Sequence, residues 1–386
     1  MKPLERVTAT DLSRVTHALR AALSGGAAVW SVAGDPAAPT DAPREVDDDI
    51  ALVVETSGST DAPKRVALSA DALLAAADAT HDALGGPGQW LLALPAHYIA
   101  GAQVIVRGIH AGTQAVVLDG EHFDAGAFAA ASARLAPNRP HYTSLVPLQL
   151  ARLVDGADRD AFIAAALRSY DAVLVGGQAL APGLAERAAH LGANVVRTYG
   201  SSETAGGCVY DGRALEGVGV RIVDGMVELS GPMLADGYLG DAGRTAAAFT
   251  TDARGTRWYR TGDLGDLGDD GRLRVRGRGD DVIISGGVKV VLGEVERAVR
   301  AVPGFGEAVV VAVGDAAWGE RAAVVAARTD AAATSAALTS LVAATDAAGL
   351  TPAARPVRLL LVDAMPLLPS GKPDRRALAV LAGGLS

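Results

Sequence analysis

Nine consecutive residues, Thr56-Ser57-Gly58-Ser59-Thr60-Asp61-Ala62-Pro63-Lys64, gather four hydroxyls, a glycine and a lysine. Backbone N–H groups, hydroxyls and an ammonium all favour anionic oxygens, so the stretch suits a polyphosphate. Gly58 and Lys64 have the separation of the first glycine and the lysine of a P-loop. Pro63, however, stands where that loop needs glycine, and Arg65 where it needs a hydroxyl for magnesium. Proline also removes an N–H that would face phosphate, which argues against a P-loop kinase. Neither Ser57 nor Ser59 sits in the G-x-S-x-G elbow of a serine hydrolase.

Further along, Tyr199-Gly200-Ser201-Ser202-Glu203-Thr204 offers an aromatic face, a glycine, hydroxyls and a carboxylate directly after an apolar run. A loop at the carboxyl end of a strand is where open α/β sheets place ligands. Asp263, in Tyr259-Arg260-Thr261-Gly262-Asp263, is a carboxylate able to accept from both hydroxyls of a cis-diol. Lys372 lies in the turn-like Pro369-Ser370-Gly371-Lys372-Pro373. Arg107 is embedded in an apolar helical run, where an unpaired guanidinium costs roughly 3 to 5 kcal/mol, so it requires an anion. That anion is either an internal Asp or Glu or a second carboxylate on a substrate. The histidines other than His97 show no metal-ligand spacing.

These residues need a scaffold, and the hydropathy pattern describes one. Ile50 to Glu55 and Arg65 to Leu68 read as two strands flanking the hydroxyl-rich loop. A helix is expected over Asp11 to Leu23, before a Pro/Asp-rich linker at 35–49, and Ser69 can cap another that runs to Leu84 and stops at Gly85-Gly86. Apolar runs at Trp90 to Leu94, Gln114 to Leu118, Tyr142 to Val146, Ala172 to Val175 and Asn194 to Thr198 alternate with helical stretches, the signature of an α/β sheet covered by helices. From Gly217 to Val275 the pattern changes to short β runs between Gly/Asp turns, as in a small barrel or second sheet. The Ala-rich 330–348 stretch reads as a surface helix.

At 386 residues, 49% hydrophobic and 20% charged, the chain is long enough for two or three domains and a large core. A net charge of -9 without a basic stripe argues against a nucleic-acid partner, whereas a small anion needs only local positive charge. The single Cys208 rules out an internal disulfide and a cysteine zinc site and fits a reducing compartment. The first ten residues lack a signal-peptide core and no run reaches the ~18 apolar residues of a membrane span, so the expected location is cytoplasmic, without membrane insertion. The oligomeric state stays open, a homodimer included.

Taken in order from 56 to 375, these stretches resemble the adenylate-forming enzymes, the family of acyl-CoA synthetases, peptide-synthetase adenylation domains and luciferases. The first matches T-S-G-[ST]-T-G-x-P-K with Asp61 in place of a glycine. Others match Y-G-x-[ST]-E-[TS], Y-R-T-G-D, G-R-x-D-D-x-I-x-x-G-G-x-K (Gly277 to Lys289) and P-x-G-K-x-x-R.

The resemblance implies a large N-terminal α/β domain with a small β subdomain, residues 1–279, and a mobile C-terminal α+β lid, residues 280–386. It implies an ATP- and magnesium-dependent, AMP-forming ligase with coenzyme A as co-substrate and small molecules as partners. Thr56, Ser57, Gly58, Ser59, Thr60 and Lys64 would hold phosphates; Gly176, Gly177, Tyr199, Gly200 and Ser202 would border the adenine side. Asp263 would accept from the ribose hydroxyls and Arg278 would contact ribose or phosphate, Glu203 would hold magnesium, and Lys372 would enter only for adenylation. Asp280 takes the hinge position, Gly286, Gly287 and Lys289 the pantetheine tunnel, and His97 the gate of the acyl pocket.

Within the family, the runs Tyr199 to Gly212 and Thr143 to Leu150 are similar to o-succinylbenzoate–CoA ligases of menaquinone biosynthesis. Arg107 falls at the arginine associated with the substrate's distal carboxylate, with Ser201, Gly206 and Gly207 beside the ring. Two rivals stand beside this reading: a ligase for another aryl or short-chain acid, and a nucleotide-binding module disabled by Asp61.

Overall fold

The computed structural model describes residues 1–38, 41–56, 63–120, 122–328, 336–368 and 372–383. Ser57, Gly58, Ser59, Thr60 and Asp61 of the phosphate-loop reading lie outside the described residues, as do 369–371 and the start of the Ala-rich stretch.

Among the described residues the strands form four sheets. In the first, the strands Ile50–Thr56 and Lys64–Ser69 pair antiparallel with Thr56 opposite Lys64, so the hydroxyl-rich loop joins the two strands expected to flank it. Ile50–Thr56 pairs in parallel with Ala28–Val32, and that strand in parallel with Lys2–Thr8, which takes a short antiparallel edge strand, Glu45–Val46. That edge strand lies inside the stretch read as linker.

The second sheet runs in the order 213–214, 206–210, 195–201, 172–175, 141–145, 89–92 and 116–117. Its neighbours from Val195–Ser201 onward are parallel, joined by helices such as Ile99–His110, Pro147–Ala157 and Pro182–His190. Ala172–Val175 is buried at every position, as a strand covered on both faces requires, and so shows a continuous apolar run instead of alternation.

Between Gly219 and Arg278 the chain forms an antiparallel five-stranded sheet built on the long strand Arg257–Leu267. One piece departs from the expected grouping: Gly237–Tyr238 leaves this region and pairs with Lys64–Ser69 in the first sheet. The fourth sheet begins with the hairpin Val282–Ser285 and Val288–Val291. Its central strands alternate strictly. Val310, Val324 and Ala326 face the helices Leu292–Arg300 and Ala337–Ala347, whereas Val309, Val311 and Val325 face Leu378 and Ala382 of Arg375–Gly383.

The Ser69 cap is formed as expected. The Ala72 N–H donates to Ser69 Oγ at 3.2 Å, and the Ser69 N–H donates to Asp236 Oδ2 at 3.0 Å. The helix Ala70–Ala83 ends at Leu84, followed by Gly85 at φ +86. Replacing Ser69 with alanine is expected to lower unfolding stability by about 1 kcal/mol in a urea titration, since the orphan N–H at the helix start loses its acceptor. Among the described residues, no helix is long and apolar enough to cross a membrane.

Candidate active site

The loops at the carboxyl ends of the second sheet converge on the antiparallel third sheet. Val195–Ser201 turns back into Gly206–Tyr210 through the short helical turn Ser202–Thr204, with a bulge at Tyr199/Gly200. A Cβ at Gly200 would collide with the Gly206 carbonyl, so the turn closes only with glycine at 200. Ala205 takes φ 49 and Gly206 φ +102 to complete it. Ser202, Glu203 and Thr204 are buried, and Thr204 Oγ1 accepts from the Ser201 N–H at 2.9 Å and donates to the Gly206 carbonyl at 2.7 Å.

From this turn, Tyr199 reaches across to the third sheet and donates to Asp263 Oδ2 at 2.6 Å. Arg278 sits opposite Asp263 in register and approaches Oδ1 at 3.3 Å, while its Nε donates to Asp280 Oδ1 at 3.2 Å. Burial pushes the Asp263 carboxyl upward, opposed by the Tyr199 hydrogen bond and the Arg278 charge.

Glu203 is 6% exposed, and Tyr238 donates to its Oε1 at 2.8 Å. Tyr238 also carries the Lys64 ammonium 5.7 Å from its ring centroid. Burial, then the Glu203 charge, pushes the Tyr238 phenol up, so it is a committed donor at neutral pH. Tyr238 thus joins the lysine of the phosphate-loop motif to the carboxylate of the second motif, a link that sequence reasoning missed. Its only signal is an aromatic between two glycines in Gly237-Tyr238-Leu239-Gly240. Thr56 Oγ1 lies 3.5 Å from the Lys64 carbonyl.

Lys372 arrives from the far end of the chain. Its Cε is 3.6 Å from where a Cβ at Gly177 would stand, an ordinary van der Waals distance, and it is the φ of +80 that favours glycine there. Crowding by protein lowers the ammonium pKa, Glu203 and Asp263 raise it, and Arg278 lowers it. Lys372 keeps a substantial solvent-accessible surface, so the shift carries little energy. Gly176, one residue earlier, packs so tightly on Thr198 that a Cβ would meet its Oγ1.

The acyl-side residues lie on the helix Ile99–His110 and the turn before it. His97 packs on Tyr98 with ring centroids 4.0 Å apart; burial lowers its pKa and keeps it neutral at pH 7. Ile99 and Gln103 touch the Cβ position of Gly206, and Gly207 lies against Thr198 and Tyr210. One turn beyond Gln103, Arg107 is 3% exposed with its guanidinium 4.9 Å from the Trp90 ring centroid. Its Nε has no hydrogen-bond partner, and no Asp or Glu pairs with it among the described residues. Among the described residues, then, no internal carboxylate forms an ion pair with Arg107.

His81 is buried nearby, stacked on His110 at 5.9 Å, and His110 meets Asp78 at 2.5 Å. Burial, then the charges of Arg107 and His110, lower the His81 pKa to about 4, against smaller upward pulls from Asp78 and Asp82. Because the folded value lies below the ordinary 6.5, this contribution to stability is complete above pH 6.5 and lost as pH falls toward 4. The loss amounts to about 3 kcal/mol at pH 4. Thermal melts of wild type and His81→Phe between pH 7 and 4 should converge or cross as pH falls.

Gly286 and Gly287 form the turn of the Val282–Val291 hairpin at φ +56 and +81, with Lys289 exposed on its return strand. Among the described residues, no hydrogen bond or ion pair joins this hairpin to the Glu203–Asp263 cluster.

The donor set suits magnesium. Magnesium takes one or two carboxylates and completes its shell with water and substrate phosphates, and Glu203 Oε2 accepts no hydrogen bond among the described residues. Among the described residues, no group of three or more His, Cys, Asp or Glu is placed to hold a metal ion.

The chain matches the AMP-binding enzyme family over residues 3–238 and the AMP-binding enzyme C-terminal domain over 294–372. It is 43% identical over 282 residues to a protein of Mycobacterium tuberculosis H37Rv named "Probable 2-succinylbenzoate–CoA ligase", covering 72% of this chain and 71% of that protein. Among solved structures it resembles Bacillus subtilis o-succinylbenzoate CoA synthetase (MenE) in complex with the acyl-adenylate intermediate OSB-AMP, with TM-score 0.72, 25% identity, and coverage of 85% of this chain and 69% of that one. The same enzyme in complex with ATP and magnesium ion gives TM-score 0.71 and 25% identity, with 85% and 70% coverage. The chain belongs to the AMP-binding, adenylate-forming enzyme family, in its 2-succinylbenzoate–CoA ligase branch.

Proposed function

We propose that this chain converts 2-succinylbenzoate (o-succinylbenzoate), ATP and coenzyme A to 2-succinylbenzoyl-CoA, AMP and pyrophosphate. The observation that carries the substrate is Arg107, a buried guanidinium without a carboxylate partner among the described residues, one helical turn below the Gly206-Gly207 floor. A dicarboxylate supplies the missing anion with its aromatic carboxylate and leaves its succinyl carboxylate at the mouth, where the Tyr199 turn and Lys372 meet. A ligase for a monocarboxylic aryl or short-chain acid would have no second carboxylate to meet this cation.

In the first half-reaction the succinyl carboxylate attacks the α-phosphate and pyrophosphate leaves. Lys372, Lys64 and the Thr56–Lys64 loop stabilise the charge in transfer, Asp263 and Arg278 hold the ribose, and Glu203 would hold magnesium, which neutralises phosphate charge when bound. Neutral His97 closes the acyl pocket against water.

In the second half-reaction, residues 280–386 turn about Asp280 and withdraw Lys372. The hairpin with Gly286, Gly287 and Lys289 then admits coenzyme A, whose thiol attacks the acyl-adenylate and releases AMP. The domain boundary on this reading is Gly279/Asp280. The acidic balance supports small molecules, not nucleic acid, as partners, and a cytoplasmic place of work in pathways such as menaquinone biosynthesis; a homodimer is one arrangement open to sedimentation analysis. Mass spectrometry after incubation with the three substrates should reveal the thioester and AMP in equal amounts; ADP, or AMP without thioester, would count against this chemistry.

A further inference from the structure

The site's lysine is delivered by the C-terminal segment, and one buried side chain of that segment reaches the loop against which the lysine rests. Arg300, the last residue of the helix Leu292–Arg300, is 9% exposed, and Glu296 one turn earlier is 6% exposed. Arg300 Nη2 meets Glu296 Oε1 at 2.8 Å, and its Nε donates to the Ala308 carbonyl at 2.8 Å. The other Glu296 oxygen accepts from Arg375 Nη2 at 2.6 Å and from the Val310 N–H at 3.0 Å. Arg375 also donates to the Val310 carbonyl at 2.9 Å and stands three residues beyond Lys372.

On its free side, Arg300 Nη1 donates across to the Ala179 carbonyl at 3.4 Å. Ala179 follows two residues after Gly177, the residue against which Lys372 rests. The contacts therefore close a ring from Gly177 to Lys372, through Arg375, Glu296 and Arg300, and back to Ala179. Nearby, a Cβ at Gly306 would stand 4.0 Å from that of Ala181, so the same loop is in contact with the C-terminal segment on both sides of Arg300.

We infer that Arg300 is a positioning residue for adenylation: by holding the Ala179 carbonyl and, through Glu296, the Arg375 side chain, it fixes the Lys372 segment against the Gly176-Gly177 loop. This rests on the two-half-reaction reading above. The guanidinium fork is what permits it, because one group must serve Glu296, Ala308 and Ala179 at once; a lysine keeps the charge beside Glu296 but cannot serve all three. When the C-terminal segment turns, the Ala179 contact is lost and the internal contacts to Glu296 and Ala308 are kept, so the residue favours one orientation without stabilising the other.

Arg300→Lys should lower 2-succinylbenzoate-dependent ATP–pyrophosphate exchange about tenfold, in kcat and not in KM for the acid. Thioester formation from supplied 2-succinylbenzoyl-adenylate and coenzyme A, measured on the same preparation as a check of folding, should be unchanged or faster. In a Lys372→Ala background the Arg300→Lys change should add nothing. Equal loss of both half-reactions, or a further tenfold loss in that background, would overturn the inference. Hydrogen exchange with ATP alone tests it without any acid: residues 178–181 should be less protected in Arg300→Lys than in wild type, and equal protection would overturn it. A wild type that exchanges with no acid would instead overturn the ligase reading, leaving the hydrogen-exchange result to decide the role of Arg300.

Discussion

Lys372→Ala is expected to lower 2-succinylbenzoate-dependent ATP–pyrophosphate exchange by a factor on the order of 100 to 1,000, the range for removing one preorganised charge-stabilising donor. Thioester formation from supplied acyl-adenylate should survive. The asymmetry follows from placement: Lys372 lies against Gly177 and in the field of Glu203 and Asp263, where phosphate charge would shift during adenylation. In the proposed scheme it comes from a segment whose turning admits coenzyme A. Equal loss of both half-reactions would show that Lys372 supports the fold or both steps, and the two-orientation scheme would fail.

Replacing Arg107 with leucine should have an effect of similar size on different quantities. Truncating one partner of a buried, hydrogen-bonded charge pair costs roughly 2 to 5 kcal/mol of binding. kcat/KM for 2-succinylbenzoate should therefore fall by about 100-fold or more, through KM, while weak activity toward benzoate or a short monocarboxylate should hold. The ligand-free protein offers an independent readout. Arg107 is buried over Trp90 without a carboxylate partner among the described residues, so an apolar replacement removes an uncompensated cation. Arg107→Leu should melt no lower than wild type, and a large drop would mean that Arg107 serves the fold.

The elements that sequence reasoning placed are those whose signal is local. The hairpin around the hydroxyl-rich loop, the Ser69 cap and the parallel strands from Trp90 to Thr198 each follow from a short apolar run or a capping side chain. Gly237–Tyr238 was misgrouped because two residues carry no periodicity, and its pairing partner lies far back in the chain at Lys64–Ser69. With that crossover went Tyr238, and so the bridge between Lys64 and Glu203. The need of Arg107 for an anion was legible from its apolar flanks, but the Trp90 ring beneath it was not, since that contact depends on how the helix Ile99–His110 lies on the strand Gln89–Leu92. Arg300 was unremarkable in sequence, because its role rests on a backbone carbonyl supplied by a distant loop.

The central claim, that this chain activates a dicarboxylic aryl acid as its adenylate, is tested most directly by ATP–pyrophosphate exchange across 2-succinylbenzoate, benzoate, succinate and a medium-chain fatty acid. Exchange measures adenylation without coenzyme A. The expected result is magnesium-dependent exchange with 2-succinylbenzoate far above the other three, and loss of that preference in Arg107→Leu. Comparable exchange with benzoate or the fatty acid would contradict the role given to Arg107, and ATP binding without exchange for any acid would contradict the ligase itself.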